Sequence, residues 1–222
     1  LRPEANFSVD QHGLMRATRR RLADQTQAIL RIAEQLDANQ QVLVDGPAGS
    51  GKTRLACAWA RRAAERGERV LLLSFNLPIG AWLTAKFERQ PLVTAGSFHR
   101  TIAEVLAPAG FIEPAEPTTE FFATGYSDAI EHLAPAVEQR FDTIILDEVQ
   151  DFRPEWLAAL PLLLDVDGPA RQFRLGDQSQ NIYGVPEDEV LGWTQLRLQD
   201  NCRNTRPIAD VAERLEIGRA HV

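Results

Sequence analysis

The stretch Gly46-Pro47-Ala48-Gly49-Ser50-Gly51-Lys52-Thr53 matches the phosphate-binding loop pattern G-x-x-x-x-G-K-[ST] at every fixed position. Residues 41–45 before it form an apolar run typical of a buried strand, and residues 54–66 after it repeat apolar side chains at helical spacing. Glycines let a backbone wrap closely around a polyphosphate, and a helix N-terminus adds unpaired N–H donors. The stretch therefore predicts a phosphate-binding strand–loop–helix unit, with a glycine-rich turn that merely caps a helix as the alternative.

Two side chains of the loop and two downstream carboxylates carry the predicted chemistry. Lys52 is expected to reach the β- and γ-phosphates, and the Thr53 hydroxyl is expected to ligate Mg²⁺. Mg²⁺ also needs an acidic ligand from a neighbouring strand end, and the apolar run 144–146 predicts such a strand. Asp147 would hold Mg²⁺ at its carboxyl end, while Glu148 would orient and deprotonate the attacking water. An acidic, solvated turn is the alternative, which the complete phosphate loop upstream disfavours.

The composition is that of an ordinary globular protein. The 222 residues are 44% hydrophobic and 25% charged, enough for one large domain or a domain with an insertion. No apolar run approaches membrane-spanning length and no signal-peptide pattern is present, so a reducing cytoplasm is the expected location. The formal net charge of −7 argues mildly against an extensive nucleic-acid surface, without excluding a local basic groove. Cys57 is predicted to be a buried small hydrophobe.

Alternating strand and helix patterns indicate an α/β domain with a parallel sheet covered on both faces. The predicted strands are residues 41–45, 69–75, 91–95, 141–146, 171–175 and 196–198. The predicted helices are residues 14–37, 54–66, 76–89, a segment ending at 106, 118–139, 154–164 and a segment after 205. We expect residues 107–140 to form a small helical insertion over one edge of the sheet.

The motif Asp147-Glu148-Val149-Gln150-Asp151 resembles the D-E-x-Q-D motif of superfamily 1 helicases of the UvrD/Rep type. Further segments resemble that family's motifs in the family's order: 74–76 (motif Ia), 97–99 (the T-F-H element), 176–183 (motif III) and 201–203 (motif IV). The resemblance covers about residues 22 to 215, and the motif sequences most resemble those of UvrD-like ATPases that are often joined to a nuclease-related domain.

The resemblance implies the fold and roles of the first RecA-like domain, a P-loop NTPase that binds ATP and Mg²⁺. It implies that Gln180 senses the γ-phosphate, that Arg203 contacts it and that Gln25 reads adenine. It also implies that four side chains face single-stranded DNA: Phe75, Asn76, His99 and Tyr183. Core packing for Phe75 and a structural hydrogen-bonding role for His99 are the alternatives.

Three departures from the family pattern limit what the resemblance implies. Cys202 stands where motif IV usually carries an aromatic residue that stacks on adenine, and Gly184-Val185 stand where a DNA-stacking Trp usually follows motif III. The segment 107–140 is short for a position that often holds a sizeable subdomain. Processive unwinding is therefore less strongly implied than ATP hydrolysis.

We expect residues 1–215 to form the first RecA-like domain of an ATP-dependent superfamily 1 DNA helicase or translocase, which needs a second RecA-like domain as partner. An ATP-dependent switch in a DNA repair or defence assembly is the alternative, and a small-molecule kinase is a remote one. Gly218 interrupts the preceding helical pattern, and one set of codons for residues 216–222 resembles a sequencing-library adapter. We therefore expect this tail to be non-native.

Overall fold

The computed structural model describes residues 27–177 and 192–198, and the sheet within them has six strands. The strands are β1 (Gln41–Asp45), β2 (Val70–Ser74), β3 (Val93–Ser97), β4 (Thr143–Asp147), β5 (Arg171–Gly176) and β6 (Thr194–Arg197). Their order is β3-β2-β4-β5-β1-β6, and every pair runs parallel. The predicted α/β fold with a parallel sheet is thus confirmed.

Six α-helices accompany these strands in the described part of the chain. Residues 27–35 are helical (α1), and the others are α2 (Lys52–Glu65), α3 (Leu77–Phe87), α4 (Phe98–Leu106), α5 (Tyr126–Leu133) and α6 (Pro154–Ala159). Among the described residues, no helix is both long and apolar enough to span a membrane.

Two hydrophobic cores lie on opposite faces of the sheet, because successive side chains of a strand point to opposite sides. On one face, Leu72 and Ile145 pack with buried residues of α1, α2 and α3. On the other face, Leu71 and Ile144 pack with buried residues of α4, α5 and α6. The apolar strands are therefore covered on both sides, as a parallel sheet requires.

Trp59 of α2 holds the phosphate-loop helix against its surroundings. Its ring stacks on Phe173 of β5 at a centroid distance of 4.4 Å, and its Nε1–H donates to the Ala33 carbonyl of α1 at 3.2 Å. Cys57 of the same helix is buried, which confirms the prediction, and burial raises the pKa of its thiol to about 11. Helix α2 is thus anchored to both the sheet and α1.

The segment 107–140 contributes to the hydrophobic core on one face of the sheet, and its predicted place over an edge stays a prediction. Tyr126, Ile130 and Val137 are buried in the same core as Leu71 of β2 and Ile144 of β4. Both strands are interior to the sheet. Helix α5 packs against α4 and α6, so the segment extends the core on this face of the sheet.

The boundaries of several helices and strands differ from the predictions, in two cases because of a proline or the pairing of one strand with its neighbour. The helix predicted over 154–164 ends at Ala159 and continues as a 3-10 turn, Leu160–Leu163, because Pro161 lacks the N–H that an α-helix needs. The strand predicted over 91–95 lies two residues later, in register with all five residues of β2. The helix predicted over 118–139 is divided into a π-helical turn, α5 and a short 3-10 turn.

Gly80→Ala is expected to destabilise the domain, although alanine normally favours a helix. A Cβ at Gly80 would lie 2.4 Å from the backbone nitrogen of Ser97, so α3 and β3 could not keep their present separation. We expect a loss of about 1–3 kcal/mol in the free energy of unfolding, the usual cost of overpacking. Urea denaturation measures this loss.

Gly110→Ala serves as the comparison, because no atom lies within 4 Å of its added Cβ and only the left-handed φ of 97° opposes the change. That backbone conformation costs alanine about 1–2 kcal/mol. A Gly80→Ala variant as stable as the wild type would contradict the close approach of α3 to β3.

Candidate functional site

The loop 46–53 connects β1 to α2 at the carboxyl edge of the sheet, and its glycines are conformationally required. Gly49 and Gly51 have φ values of 86° and 99°, which side chains other than glycine rarely adopt. A Cβ on Gly46 would lie 2.7 Å from Ser50 Oγ and 2.9 Å from Leu198 Cβ. The loop therefore curls tightly because three of its positions carry no side chain.

Lys52 is the first residue of α2 and is 4% exposed. Its Nζ donates to the Gly46 carbonyl at 2.8 Å and lies 3.7 Å from Glu148 Oε2. Gly51, the N-cap of α2, offers no side-chain acceptor to the first turn of this 14-residue helix. The loop thus brings a buried ammonium group and the positive end of a helix to one place.

Asp147 ends β4 and is completely buried. Neither of its carboxylate oxygens has a well-formed hydrogen bond within the described ranges. Burial raises the pKa of Asp147 to about 6, and the Glu148 charge adds to this, whereas the Thr53 hydroxyl and the Lys52 ammonium group oppose it. A buried carboxylate without well-formed hydrogen bonds is costly unless a cation or a further donor reaches it. Asp147 therefore has the environment of a cation ligand.

The strand that carries Asp147 is not the direct neighbour of the loop strand, contrary to the sequence prediction. β5 lies between them and pairs with both β1 and β4. Gly176 ends β5, and a Cβ there would lie 2.7 Å from Val149 Cγ1 and 2.9 Å from Gln150 Oε1. This glycine lets the segment after β4 lie across the end of β5, towards the loop.

Glu148 follows β4 in a left-handed conformation, with a φ of 56°. Such strained backbone in a non-glycine residue occurs preferentially at functional sites. Its Oε2 accepts a hydrogen bond from Gln150 Nε2 at 2.8 Å, and Gln150 Oε1 accepts one from the Asp177 backbone N–H at 3.0 Å. Gln150 was part of a motif in the sequence, but no role was predicted for it.

Three aromatic rings form a continuous partly exposed surface, which we call the aromatic ledge: Phe75, His99 and Phe122. The His99 ring centroid lies 5.8 Å from that of Phe75 and 5.4 Å from that of Phe122. Phe75 and Phe122 are 38% and 39% exposed. Trp156 stacks behind Phe75 with the two rings 25° from parallel. Burial lowers the pKa of His99, which favours the neutral form of its ring.

The structure brings some of the predicted site residues together and leaves others outside its described ranges. Lys52, Thr53, Asp147 and Glu148 lie close together at the carboxyl edge of the sheet. The Asn76 side chain caps α3, where its Oδ1 accepts the Ile79 N–H at 3.2 Å. Four predicted residues lie outside the described ranges, as do Cys202 and the tail 216–222: Gln25, Gln180, Tyr183 and Arg203.

Phe122 is a ledge residue that the sequence analysis did not single out. Its position beside His99 depends on how the segment 107–140 packs against α4. No local signal in the sequence marks it.

Among solved structures, the chain is similar to the Pif1 helicase from Candida albicans, with 15% identity and a TM-score of 0.54 over 86% of this chain and 43% of that one. Bacteroides Pif1 bound to ssDNA is 19% identical, with a TM-score of 0.46 over 85% and 45% of the two chains. The chain therefore spans less than half the length of these structures. No curated protein matches the sequence significantly.

The likeness to the Candida protein concerns the fold, which is that of RecA-like P-loop helicase domains. A family model described as "Type III restriction enzyme, res subunit" matches residues 20–153. This match includes the phosphate loop, Asp147 and Glu148. Because it spans more than half of the 222 residues, the chain belongs to the type III restriction enzyme res subunit family.

Proposed function

We propose that this chain is the ATP-binding domain of an ATP-dependent DNA helicase or translocase of superfamily 1 that acts on single-stranded DNA. The single observation that supports this most strongly is the meeting of Lys52, Asp147 and Glu148 at one edge of the sheet. The Lys52 ammonium group lies 3.7 Å from Glu148, and the adjacent Asp147 carboxylate is buried without a well-formed hydrogen bond among the described residues.

The loop 46–53 would bind the triphosphate through its backbone N–H groups and through Lys52. The ammonium group now donates to loop carbonyls, so it is already held inside the curl where phosphates would bind. The uncapped N-terminus of α2 adds partial positive charge. These groups position the phosphates and do not themselves take part in proton transfer.

Thr53 and Asp147 would hold Mg²⁺, and the residues present fit this ion. The Asp147 carboxylate is buried and lacks well-formed hydrogen bonds within the described ranges, and the Thr53 hydroxyl is near enough to favour its ionised form. Oxygen donors of this kind suit Mg²⁺. When bound, the ion would neutralise charge on the phosphate oxygens.

Glu148 would accept a proton from the attacking water. Its side chain is 26% exposed, so solvent can reach it, while Lys52 is nearly inaccessible. Gln150 and Lys52 both contact Oε2, and no hydrogen bond from a described residue engages Oε1. The carboxylate is thus oriented through one oxygen, which leaves the other for a water molecule.

The aromatic ledge supports single-stranded DNA as the nucleic-acid partner. Bases stack on aromatic faces regardless of sequence, and each stacked base contributes roughly 1–3 kcal/mol. Phe75 and Phe122 have partly exposed rings. Trp156 stacks against Phe75, and the His99 ring contacts both phenylalanines. Burial lowers the pKa of His99 and so favours its neutral ring, which lies among the other rings without the cost of burying a charge.

Phe75→Ala and Phe122→Ala are each expected to weaken binding of single-stranded DNA about fivefold to a hundredfold, the equivalent of roughly 1–3 kcal/mol per stacked base. Fluorescence anisotropy with a labelled oligonucleotide measures this loss. Leu162→Ala is the matched control, because Leu162 is also an exposed apolar side chain but follows α6 near the start of β4. Equal affinity for all four proteins would exclude the ledge from DNA binding.

The proposed activity is tested by measuring ATP hydrolysis of the intact protein with and without single-stranded DNA. We expect stimulation by DNA, which a small-molecule kinase would not show. A strand-displacement assay then separates a helicase from a translocase or switch that never unwinds a duplex. ATPase activity that ignores single-stranded DNA would contradict the proposal.

A further inference from the structure

Gln150 is a buried amide that joins two segments of the candidate site. It lies in the 3-10 turn Val149–Asp151 and is 6% exposed. Its Nε2 donates to Glu148 Oε2 at 2.8 Å, and its Oε1 accepts the backbone N–H of Asp177 at 3.0 Å. One side chain therefore links the carboxylate after β4 to the backbone that leaves β5.

The surroundings allow this side chain little freedom. Gly176 lies so close that a Cβ there would be 2.9 Å from Gln150 Oε1 and 3.5 Å from its backbone nitrogen. The turn is closed by the Asp151 N–H, which donates to the Glu148 carbonyl at 3.0 Å. Gln150 is thus confined between the end of β5 and Glu148.

We infer that Gln150 is a positioning residue for Glu148 and couples its orientation to the Asp177 backbone at the end of β5. The inference rests on the proposed function of Glu148 as the proton acceptor. Gln150 does not touch the reacting atoms; it acts by holding Oε2 of Glu148. A movement of the Asp177 backbone would be passed through the amide to that carboxylate.

Only a side chain that both donates and accepts can make these two contacts at once. Gln150→Glu keeps an acceptor for the Asp177 N–H but places a second carboxylate against Glu148. Gln150→Met keeps the length and loses both hydrogen bonds. Both variants therefore remove the contact with Glu148, and only Gln150→Met also removes the contact with Asp177.

We expect both variants to lower kcat for ATP hydrolysis in the intact protein by ~10- to 100-fold, part of the ~10²–10⁴ that a general base contributes. Nucleotide affinity should change less than about threefold, since neither contact involves the phosphate loop. Gln90→Glu is the matched control, because it makes the same chemical change on an exposed glutamine. It should leave both quantities unchanged.

Combining each Gln150 variant with Glu148→Gln tests whether the two residues act as a unit. If Gln150 acts through Glu148, the double variant should hydrolyse ATP no more slowly than Glu148→Gln alone. Additive losses would overturn the inference and assign Gln150 a separate structural role.

A readout without nucleotide is the melting temperature of Glu148→Ala, Gln150→Ala and the combined variant. Each single variant loses the hydrogen bond that the two residues share, whereas the combined variant loses it only once. The melting-temperature decreases of the two single variants should therefore add up to about 2 °C or more above the decrease of the combined variant. Additive shifts would overturn the contact itself. A wild-type protein that hydrolyses no ATP would refute the proposed function and with it this inference, whereas an active protein with fully active Gln150 variants would refute the inference alone.

Discussion

Lys52→Ala is expected to abolish nucleotide binding and turnover. The Lys52 ammonium group is the buried cation of the phosphate loop, and it is held there by the Gly46 and Pro47 carbonyls. Charge-assisted hydrogen bonds contribute about 1.5–3 kcal/mol each, so losing two to the phosphates weakens binding by ~10²–10⁴-fold. Among the described residues, no other cationic side chain forms an ion pair with Glu148.

Titration with a fluorescent ATP analogue measures the loss, and ATP hydrolysis is followed in parallel. Lys86→Ala is the matched control, because Lys86 is the chain's other lysine and lies on the exposed side of α3 beside Trp82. Its affinity and turnover should equal those of the wild type. Undiminished ATPase activity in Lys52→Ala would refute the assignment of this loop as the nucleotide site.

Glu148→Gln is expected to keep ATP bound while it slows hydrolysis by ~10²–10⁴-fold, the usual contribution of a general base. The amide has the shape of the carboxylate and can still accept the Gln150 hydrogen bond, so the site should keep its geometry. It cannot accept a proton from water. The loss should therefore appear in kcat, with nucleotide affinity nearly unchanged.

Single-turnover hydrolysis and equilibrium nucleotide binding, measured on the same preparation, separate these two effects. Glu104→Gln is the control, since Glu104 is an exposed carboxylate in an i,i+4 pair with Arg100 on α4. Parallel losses of binding and turnover in Glu148→Gln would instead identify Glu148 as a structural or metal-binding residue.

The sequence by itself predicted the parts of the fold that local pattern determines. Apolar strands alternating with helices indicated a parallel sheet. The complete loop motif indicated where a phosphate would bind, since the loop adopts backbone conformations that only glycine adopts readily. Gly49 and Gly51 indeed have left-handed φ values. The assignment to the UvrD/Rep type and the roles of Gln25, Gln180, Tyr183 and Arg203 stay predictions.

Other features depended on contacts between distant parts of the chain. β5 lies between β1 and β4 because strand order is set by long-range pairing, which no local pattern encodes. The segment 107–140 joins the core on one face of the sheet because its apolar residues pack with those of distant elements. Only tertiary structure brings Phe122 beside His99 and Gln150 between Glu148 and Asp177, since each of these contacts joins separate elements through side-chain geometry.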